Sequence, residues 1–334
     1  MTSAPGLSRC ALAFALLVTA AMGGAIAATP GPCNVTVFPR HGTYVPTKHL
    51  HGPGLILNGG GALEGPAAAW FIVHDRIIGS GTRRAGNVIV LRASDADLYD
   101  QLFLKSGNFA SMQTVLIPPC ASRAAVDSVA PIVDHADILF FAGGDQSHYT
   151  IWKGSALIAA VKRVYARGGA VGGGSAGLAI QGAAIYDSAS ADRLGNDTHT
   201  ADAVKYPLEP RISFTTDFFA WPALEHTITD THFAKRDRFG RSVVFLARLI
   251  HDRTLGNVAP LYALGVDQAS VVLVDRHGIG TVFNGPPPGA SGVFLIRASQ
   301  TPHLAQGAPI RYAVDVSHIA RNGETFDVLH KTTN

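Results

Sequence analysis

The chain has 334 residues, of which 47% are hydrophobic and 15% are charged, and its formal net charge is +3 at pH 7. This composition supplies a large apolar core and excludes a disordered chain, and the length suits one large α/β domain or two small ones. No basic run or basic-aromatic stripe occurs, so a nucleic-acid partner is not expected.

The first 27 residues have the pattern of an export signal. Arg9 is the only charge before an apolar run from Cys10 to Met22, and Ala25-Ile26-Ala27 fits a cleavage site of the A-x-A type. The apolar run is shorter than the ~20 residues that a membrane-spanning helix needs, which makes an uncleaved anchor the weaker interpretation. We therefore expect an exported protein, periplasmic or extracellular, with no stable membrane anchor.

Residues 28–53 are rich in Pro, Gly and His and predict an extended leader packed on the domain. The histidines of this leader have no matching Cys, Asp or Glu cluster, so no metal site is expected. Removal of the signal leaves Cys33 and Cys120, which in an exported protein form a disulfide or remain two separate buried thiols.

From residue 54 onward, short apolar strands alternate with helices, as in a parallel sheet with helices on both faces. The predicted strands cover residues 55–57, 87–91, 114–117, 138–141 and 170–172, and the predicted helices cover 66–74, 96–105, 123–135 and 155–167. Ligands of such sheets bind beyond the carboxyl ends of the strands. Since Gly59–Gly61, Gly143–Gln146 and Ser175 all follow strands, we expect them to converge on one rim.

The second half of the chain predicts a loop, one more helix and a mostly β C-terminal part. Residues 183–222 are polar and irregular and predict a loop or lid over the rim. A helix runs on through Leu249, and Tyr262–Gln268 and Ser270–Val274 are predicted to pair as strands. Residues 54–330 therefore form one predicted α/β domain.

A cluster of glycines surrounds one serine. Gly173, Ser175 and Gly177 match G-x-S-x-G, the spacing of a nucleophile elbow. A serine on a tight strand-to-helix turn occupies strained backbone, and neighbours without a Cβ relieve the crowding. The hydroxyl then projects over a helix N-terminus, where free N–H groups favour negative charge. A glycine-rich turn with a capping serine would leave the same pattern.

Four ordered stretches together resemble one family. They are F-F-A-G-G-D-Q at 140–146, G-G-G-S-A-G at 172–177, D-T-H-F-A-K-R-D-R-F-G-R at 230–241 and L-G-V-D-Q-A at 264–269. The set resembles the cyanophycinases of serine peptidase family S51, over roughly residues 54–330. The resemblance implies a flavodoxin-like α/β fold akin to class I glutamine amidotransferases. It also implies cleavage of cyanophycin, an aspartate polymer carrying arginine on its β-carboxylates, or of β-aspartyl dipeptides.

The same resemblance implies a role for each matching residue. Ser175 matches the nucleophile and His232 the general base, and the residues matching conserved polar positions, which we expect to bind substrate, are Gln146, Asp230, Arg236, Arg238 and Arg241. A serine hydroxyl needs an adjacent base, and an imidazole of near-neutral pKa suits that task. Planar guanidinium groups suit carboxylate recognition. The backbone N–H groups of Gly144 and Ala176 are the candidate oxyanion-hole donors.

The chain departs from the family at the third position of the triad. Gln268 stands where the family has glutamate, and an amide cannot supply the negative charge that stabilises an imidazolium. Its carbonyl can still accept the imidazole N–H and fix the tautomer, although the lost charge could cost ~10²–10⁴ in rate. Three interpretations remain open: a working Ser-His-Gln arrangement, replacement by another carboxylate such as Asp187, and a relative that binds without cleaving.

Three functions therefore compete. The first is an exported serine hydrolase acting on β-aspartyl or cyanophycin-like bonds of a peptide or polymer, without a cofactor and as a monomer or homodimer. The second is a secreted binding protein, which Gln268 favours. The third is an ordinary α/β-hydrolase esterase. In that fold the triad follows the order serine, acid, histidine, and Asp187 would be the acid in that order. The arginine-rich stretch favours the first.

Overall fold

The computed structural model describes residues 33–61, 86–94, 109–187, 197–285 and 292–333. The strands in these ranges are β1 (Thr36–Val37), β2 (His41–Gly42), β3 (Gly54–Asn58), β4 (Asn87–Arg92), β5 (Ser111–Leu116), β6 (Ile138–Phe141), β7 (Ala170–Gly174), β8 (Ala184–Tyr186), β9 (Phe214–Thr216), β10 (Thr227–Asp230), β11 (Leu261–Val266), β12 (Ser270–Val274), β13 (Ile279–Asn284), β14 (Val293–Ala298), β15 (Asp315–Ile319), β16 (Thr325–Asp327) and β17 (Thr332–Thr333).

The α-helices in these ranges are α1 (Arg123–Asp127), α2 (Ala130–Val133), α3 (Ser147–Thr150), α4 (Ala156–Ala166), α5 (Ala176–Ala179), α6 (Thr200–Lys205) and α7 (Phe239–His251), and a 3₁₀ helix covers Pro222–Leu224. None of them combines the length and the apolar character needed to cross a bilayer. The helices predicted over 66–74 and 96–105 lie outside the described residues.

The first sheet is built on five parallel strands in the order β5-β4-β6-β7-β3. Strands β4 to β7 follow the flavodoxin-like order 2-1-3-4, and β3 takes the fifth place. The short strands β1 and β2 of the leader pair antiparallel with β5. Beyond β3 the sheet continues through β12, β13, β16 and β17. The fold is the expected α/β class with a parallel core.

Both faces of this sheet are buried, because alternate residues of a strand point to opposite faces. In β6, Leu139 and Phe141 pack into one hydrophobic cluster, while Ile138 and Phe140 pack into another. The first cluster also takes apolar side chains from α1, α2 and α4. This explains why the strands of the sequence are continuous apolar runs.

A second sheet has the order β15-β14-β11-β10-β8-β9, with β8, β10 and β11 parallel to one another. One of its faces joins the first hydrophobic cluster through Leu264 and Val266. The other face packs against α7 through a separate cluster that includes Phe245. The second sheet is therefore a layer between the central core and α7.

The predicted pairing of 262–268 with 270–274 is wrong. Strand β11 pairs with β10 and β14, whereas β12 pairs with β3 and β13. The residues between them turn the chain out of one sheet and into the other. Ala269 has a φ of 60°, and its N–H donates to the carbonyl of Gly60 at 2.9 Å. A short connection between two strands is thus not always a hairpin.

Two further predictions need correction. The helix predicted over 123–135 is divided into α1 and α2. Pro131 has no N–H to donate within a continuous helix, but it is tolerated in the first turn of a helix, which is its place in α2. The irregular loop predicted over 183–222 contains β8, α6 and β9, and β8 and β9 pair antiparallel at the edge of the second sheet. Residues 188–196 of this segment lie outside the described ranges.

A disulfide joins Cys33, ahead of β1, to Cys120, after β5. The two Cα atoms are 5.1 Å apart. Since β1 and β5 are paired strands, the disulfide ties the leader to the edge of the first sheet. Of the two states that the sequence left open for these cysteines, the structure has the bonded one.

Candidate active site

Ser175 lies at a sharp turn between β7 and α5. Its backbone has φ 52° and ψ −117°, a region that residues with a Cβ rarely adopt. A Cβ on Gly173 or Gly177 would collide with the carbonyl oxygen of Phe141 in the neighbouring strand. Both glycines of G-x-S-x-G are thus required by close packing against β6, and the serine between them is held in strained backbone, as in a nucleophile elbow.

His232 approaches this serine from the second sheet. It follows β10 by two residues, has a φ of 46°, and donates its backbone N–H to the carbonyl of Gly59 at 2.8 Å. Its Nε2 lies 2.9 Å from the Oγ of Ser175. His232 is 6% exposed, whereas Ser175 is half-buried. The predicted nucleophile and base are therefore within hydrogen-bond distance of each other.

Gln268 contacts the other nitrogen of the ring. Its Oε1 lies 2.9 Å from Nδ1 of His232. An amide oxygen can only accept, so Nδ1 carries the hydrogen and Nε2 is left to accept the Ser175 hydroxyl. Gln268 thus selects the tautomer that a general base requires. The structure brings Ser175, His232 and Gln268 together, and their catalytic roles stay predictions.

The glycine loop at the end of β3, residues 58–61, contacts all three residues. Its φ values are 103° at Gly60 and 86° at Gly61, and a Cβ on Gly60 would overlap the imidazole ring of His232. A Cβ on Gly61 would lie 2.8 Å from Cγ of Gln268. The carbonyl of Asn58 accepts the backbone N–H of Ser175 at 3.0 Å. Sequence reasoning placed this loop on the rim but missed its function, although three consecutive glycines after a buried strand were the available signal.

The site is assembled from two sheets. Ser175 and the glycine loop follow the carboxyl ends of β7 and β3 in the first sheet. His232 and Gln268 follow the carboxyl ends of β10 and β11 in the second. Gly59–Gly61, Gly143–Gln146 and Ser175 follow the neighbouring parallel strands β3, β6 and β7, as expected for one rim of the first sheet. The second sheet adds His232 and Gln268 to this rim.

Burial and neighbouring charges keep the imidazole neutral. Burial lowers the pKa of His232 below its ordinary value of 6.5, and the cations Arg236 and Arg238 act in the same direction. The hydrogen bond to Gln268 and the charge of Asp230 oppose this shift without reversing it. At neutral pH the ring is consequently unprotonated and able to accept a proton.

One predicted oxyanion donor follows the serine in the chain, and the other follows the neighbouring strand. Ala176 is the first residue of α5, where a helix leaves the N–H without an intrahelical acceptor. Gly144 is exposed, has a φ of 137°, and follows β6, the strand next to β7. Gln146 follows in the same loop, and its Nε2 donates to the carbonyl of Tyr186 at 3.2 Å. Oxyanion binding by these N–H groups, and substrate binding by Gln146, stay predictions.

The predicted substrate-binding arginines divide into two groups. Arg236 is exposed and forms no ion pair with any residue in the described ranges. Arg238 and Arg241 are buried and bind the buried carboxylate of Asp230. This placement differs from the predicted contact with substrate, because their guanidinium groups donate to protein acceptors. Of the three arginines, only Arg236 is exposed, and substrate binding by it stays a prediction.

Asp187 does not occupy the third position of the triad. Its carboxylate accepts hydrogen bonds from the hydroxyls of Ser213 at 2.6 Å and Thr215 at 2.8 Å, while Gln268 faces Nδ1 of His232. Within the part of the chain that the structure describes, no group of three or more His, Cys, Asp or Glu side chains is arranged to hold a metal ion.

A scan against models of protein families found no match, and a search of curated proteins found none. Among solved structures, the chain is similar to that of a peptidase from an acI-B1 actinobacterium, with 14% sequence identity, a TM-score of 0.48, and coverage of 84% of this chain and 98% of the other. It is also similar to the structure of a putative peptidase E protein from Listeria monocytogenes EGD-e, with 10% identity, a TM-score of 0.41, and coverage of 71% and 100%. Likenesses of this degree say nothing about activity.

Proposed function

We propose that the protein is a serine-type peptidase in which Ser175 attacks a peptide carbonyl with His232 as general base. The observation that carries the proposal is the 2.9 Å contact between Ser175 Oγ and His232 Nε2 at a strained strand-to-helix turn. A serine hydroxyl is a weak nucleophile until an adjacent base takes its proton. A half-buried serine beside a neutral, oriented imidazole meets that requirement.

In the proposed reaction, Ser175 Oγ forms a bond to the substrate carbonyl carbon while its proton passes to His232 Nε2. The backbone N–H groups of Gly144 and Ala176 stabilise the resulting oxyanion, and loss of one such donor typically costs about 3 kcal/mol. The imidazolium then protonates the leaving amine, which departs and leaves an acyl-enzyme. Water, deprotonated by the same imidazole, releases the acid and restores the serine.

For the substrate, we propose a β-aspartyl bond of cyanophycin or a related peptide. The support is the sequence resemblance at residues 140–146, 172–177, 230–241 and 264–269. The exposed guanidinium of Arg236, near the imidazole, suits a substrate with a free carboxylate.

We further propose that the protein acts outside the cytoplasm, with the signal-like N-terminus and the Cys33–Cys120 disulfide as support.

The second candidate is a binding protein that has lost turnover. The neutral Gln268 at the third position favours it, since no carboxylate contacts Nδ1 of His232 among the described residues. Such a protein would retain affinity for the polymer without forming an acyl-enzyme. The two candidates therefore differ in whether Ser175 becomes covalently modified.

The deciding experiment measures release of β-aspartyl-arginine from cyanophycin by the mature protein beside its Ser175→Ala variant. Release by the parent alone supports the proposed reaction and substrate. If the folded parent releases nothing, a fluorophosphonate probe is applied next. Labelling that requires Ser175 would then support the peptidase proposal and exclude cyanophycin as the substrate. No labelling would favour the binding protein.

A further inference from the structure

The carboxylate of Asp230, at the end of β10, is the centre of a buried polar network. Arg241 binds it with two hydrogen bonds, from Nε at 2.8 Å and from Nη2 at 2.6 Å. Ser242 Oγ donates to it at 3.0 Å, and the backbone N–H of Thr231 at 2.8 Å. Burial opposes its ionisation, yet Arg241 and Arg238 hold the pKa of Asp230 below its ordinary value of 3.8. The carboxylate is therefore charged and saturated with donors.

Arg238 extends this network to the residue next to the base. Its Nη1 donates to the carbonyl of Thr231 at 3.0 Å and to Thr231 Oγ1 at 2.9 Å. Burial lowers the pKa of Arg238 to about 10, so the guanidinium remains a cation at neutral pH. The two residues that precede His232, Asp230 and Thr231, are thus each held by a buried guanidinium.

Asp197 joins the two arginines from the other side. Its Oδ2 accepts from Arg238 Nη2 at 3.1 Å and from Arg241 Nη1 at 2.9 Å. The same Nη1 donates to the carbonyl of Thr198 at 3.1 Å. The start of α7, the end of β10 and residues 197–198 are consequently connected by two planar cations.

Buried ion pairs of this kind contribute little net stability, because desolvation of the charges offsets their attraction. These ion pairs instead fix the backbone geometry at one position. Asp230 and Thr231, which they hold, lead directly into the left-handed turn at His232, which has a φ of 46°. A non-glycine residue in that conformation persists only where its surroundings determine it. The contacts to Asp230 and Thr231 are surroundings of that kind.

We propose that Arg238 and Arg241 are positioning residues: by holding Thr231 and Asp230, they fix the turn that presents His232 to Ser175. The inference rests on the proposed function, in which His232 is the base. It replaces the expectation that these two arginines bind substrate directly. It also makes Asp197 part of the support for the base, although Asp197 is distant from it in sequence.

The test is Arg238→Lys, which keeps the charge but cannot span Asp197 and Thr231 with one planar group. We expect the rate of fluorophosphonate labelling at Ser175, and kcat on peptide, to fall about 10²-fold, while KM changes much less, since small misplacement of a catalytic group has effects of that size. The matched control is Arg211→Lys, because Arg211 is also a largely buried arginine but pairs with Glu209 and Asp202. This control should retain the parent's labelling rate.

A second variant, Asp197→Asn, covers the case in which Arg238→Lys fails to fold. Asp197 is 37% exposed, and the amide keeps its size while losing the charge that both arginines bind. We expect a smaller fall in labelling rate from this variant. Labelling at the parent's rate in every folded variant would overturn the positioning role.

Titration of the His232 imidazole by NMR separates this inference from the proposed function. A loosened turn exposes the ring to water, so its pKa should rise toward 6.5 in Arg238→Lys or Asp197→Asn. An unchanged pKa in the folded variants would overturn the positioning role whether or not the parent is labelled. Absence of labelling in the parent, with a shifted His232 pKa in the variants, would instead reject only the proposed peptidase.

Discussion

Gln268 gives His232 an orienting contact without a charge. Its Oε1 lies 2.9 Å from Nδ1, the distance of an ordinary hydrogen bond. An amide in this place keeps the imidazole in the correct tautomer, as asparagine does in papain-like enzymes, but leaves the imidazolium without a counter-ion. The effect of Gln268 on the proposed reaction rate therefore depends on which contributes more to that rate, the orientation of the imidazole or a negative charge beside it.

Replacement of Gln268 by glutamate tests that balance. A carboxylate within ~4–6 Å raises the pKa of a neighbouring cationic acid by about 1–3 units, so Gln268→Glu should move the acid limb of the kcat/KM profile to higher pH. It should also hold or raise kcat/KM at neutral pH. Gln268→Ala, the matched control, removes the acceptor and should lower kcat/KM. A fall in Gln268→Glu with an unmoved acid limb would show that residue 268 does not act on His232.

The parent protein should remain active in mildly acidic solution. Burial lowers the pKa of His232 below 6.5, and a general base is lost only when it becomes protonated. We expect kcat/KM to decline with falling pH only below 6.5, with its midpoint at the lowered pKa. The profile of kcat/KM against pH measures this directly. A midpoint above 6.5 would mean that the ring is more exposed to water, or to negative charge, than the structure shows.

At the scale of elements, the site depends on close backbone approach at the loop after β3. Gly60→Ala adds a methyl group where the imidazole of His232 lies, in backbone with a φ of 103°. We expect kcat/KM to fall at least about 10²-fold, since the base must move away from the serine. Gly323→Ala is the control, because Gly323 has a φ of 81° and nothing within 4 Å of an added Cβ. Equal losses in the two variants would mean that backbone strain alone is responsible.

The elements of the first sheet were predictable from the sequence, and several connections were not. Strand β6 and helix α4 match their predicted ranges closely, because a continuous apolar run and a serine N-cap are local signals. The separation of β11 from β12 was not predictable, since it depends on competition from β3 and β13 for the same strand. Local patterns do not reveal which of several distant strands is the better partner.

Among the candidate site residues, the resemblance identified the side chains but not all their surroundings. Ser175, His232 and Gln268 lie together as the motifs imply. The burial of Arg238 and Arg241 was not foreseen, because a cluster of arginines in sequence indicates solvent or ligand until a buried carboxylate such as Asp230 is placed beside it. Spatial pairing, rather than residue type, decides that distinction.

At the scale of the whole molecule, the Cys33–Cys120 disulfide closes a long loop, with a sequence separation of 87. The double variant Cys33→Ser, Cys120→Ser should lower the free energy of unfolding by about 2–4 kcal/mol, because a cross-link of this kind restricts the unfolded chain. Activity at moderate temperature should persist, since the bond ties β1 to β5 while the site follows β7, β3, β10 and β11. Denaturant unfolding of the variant and the parent measures the difference. A marked fall in the kcat/KM of the folded variant under native conditions would show that the disulfide also affects the site.

Strand β3 has a consequence for how the chain acquires its structure. It is the first of the five parallel strands in sequence, yet its two neighbours are β7 and β12, so Leu55 lies opposite both Val171 and Val274. Contacts between such distant segments are slow to form, because a long loop must close before they are gained. A chain emerging from the ribosome therefore cannot complete the glycine loop beneath His232 until nearly all of it has been synthesised. Newly made protein should stay inactive and accessible to chaperones for that interval.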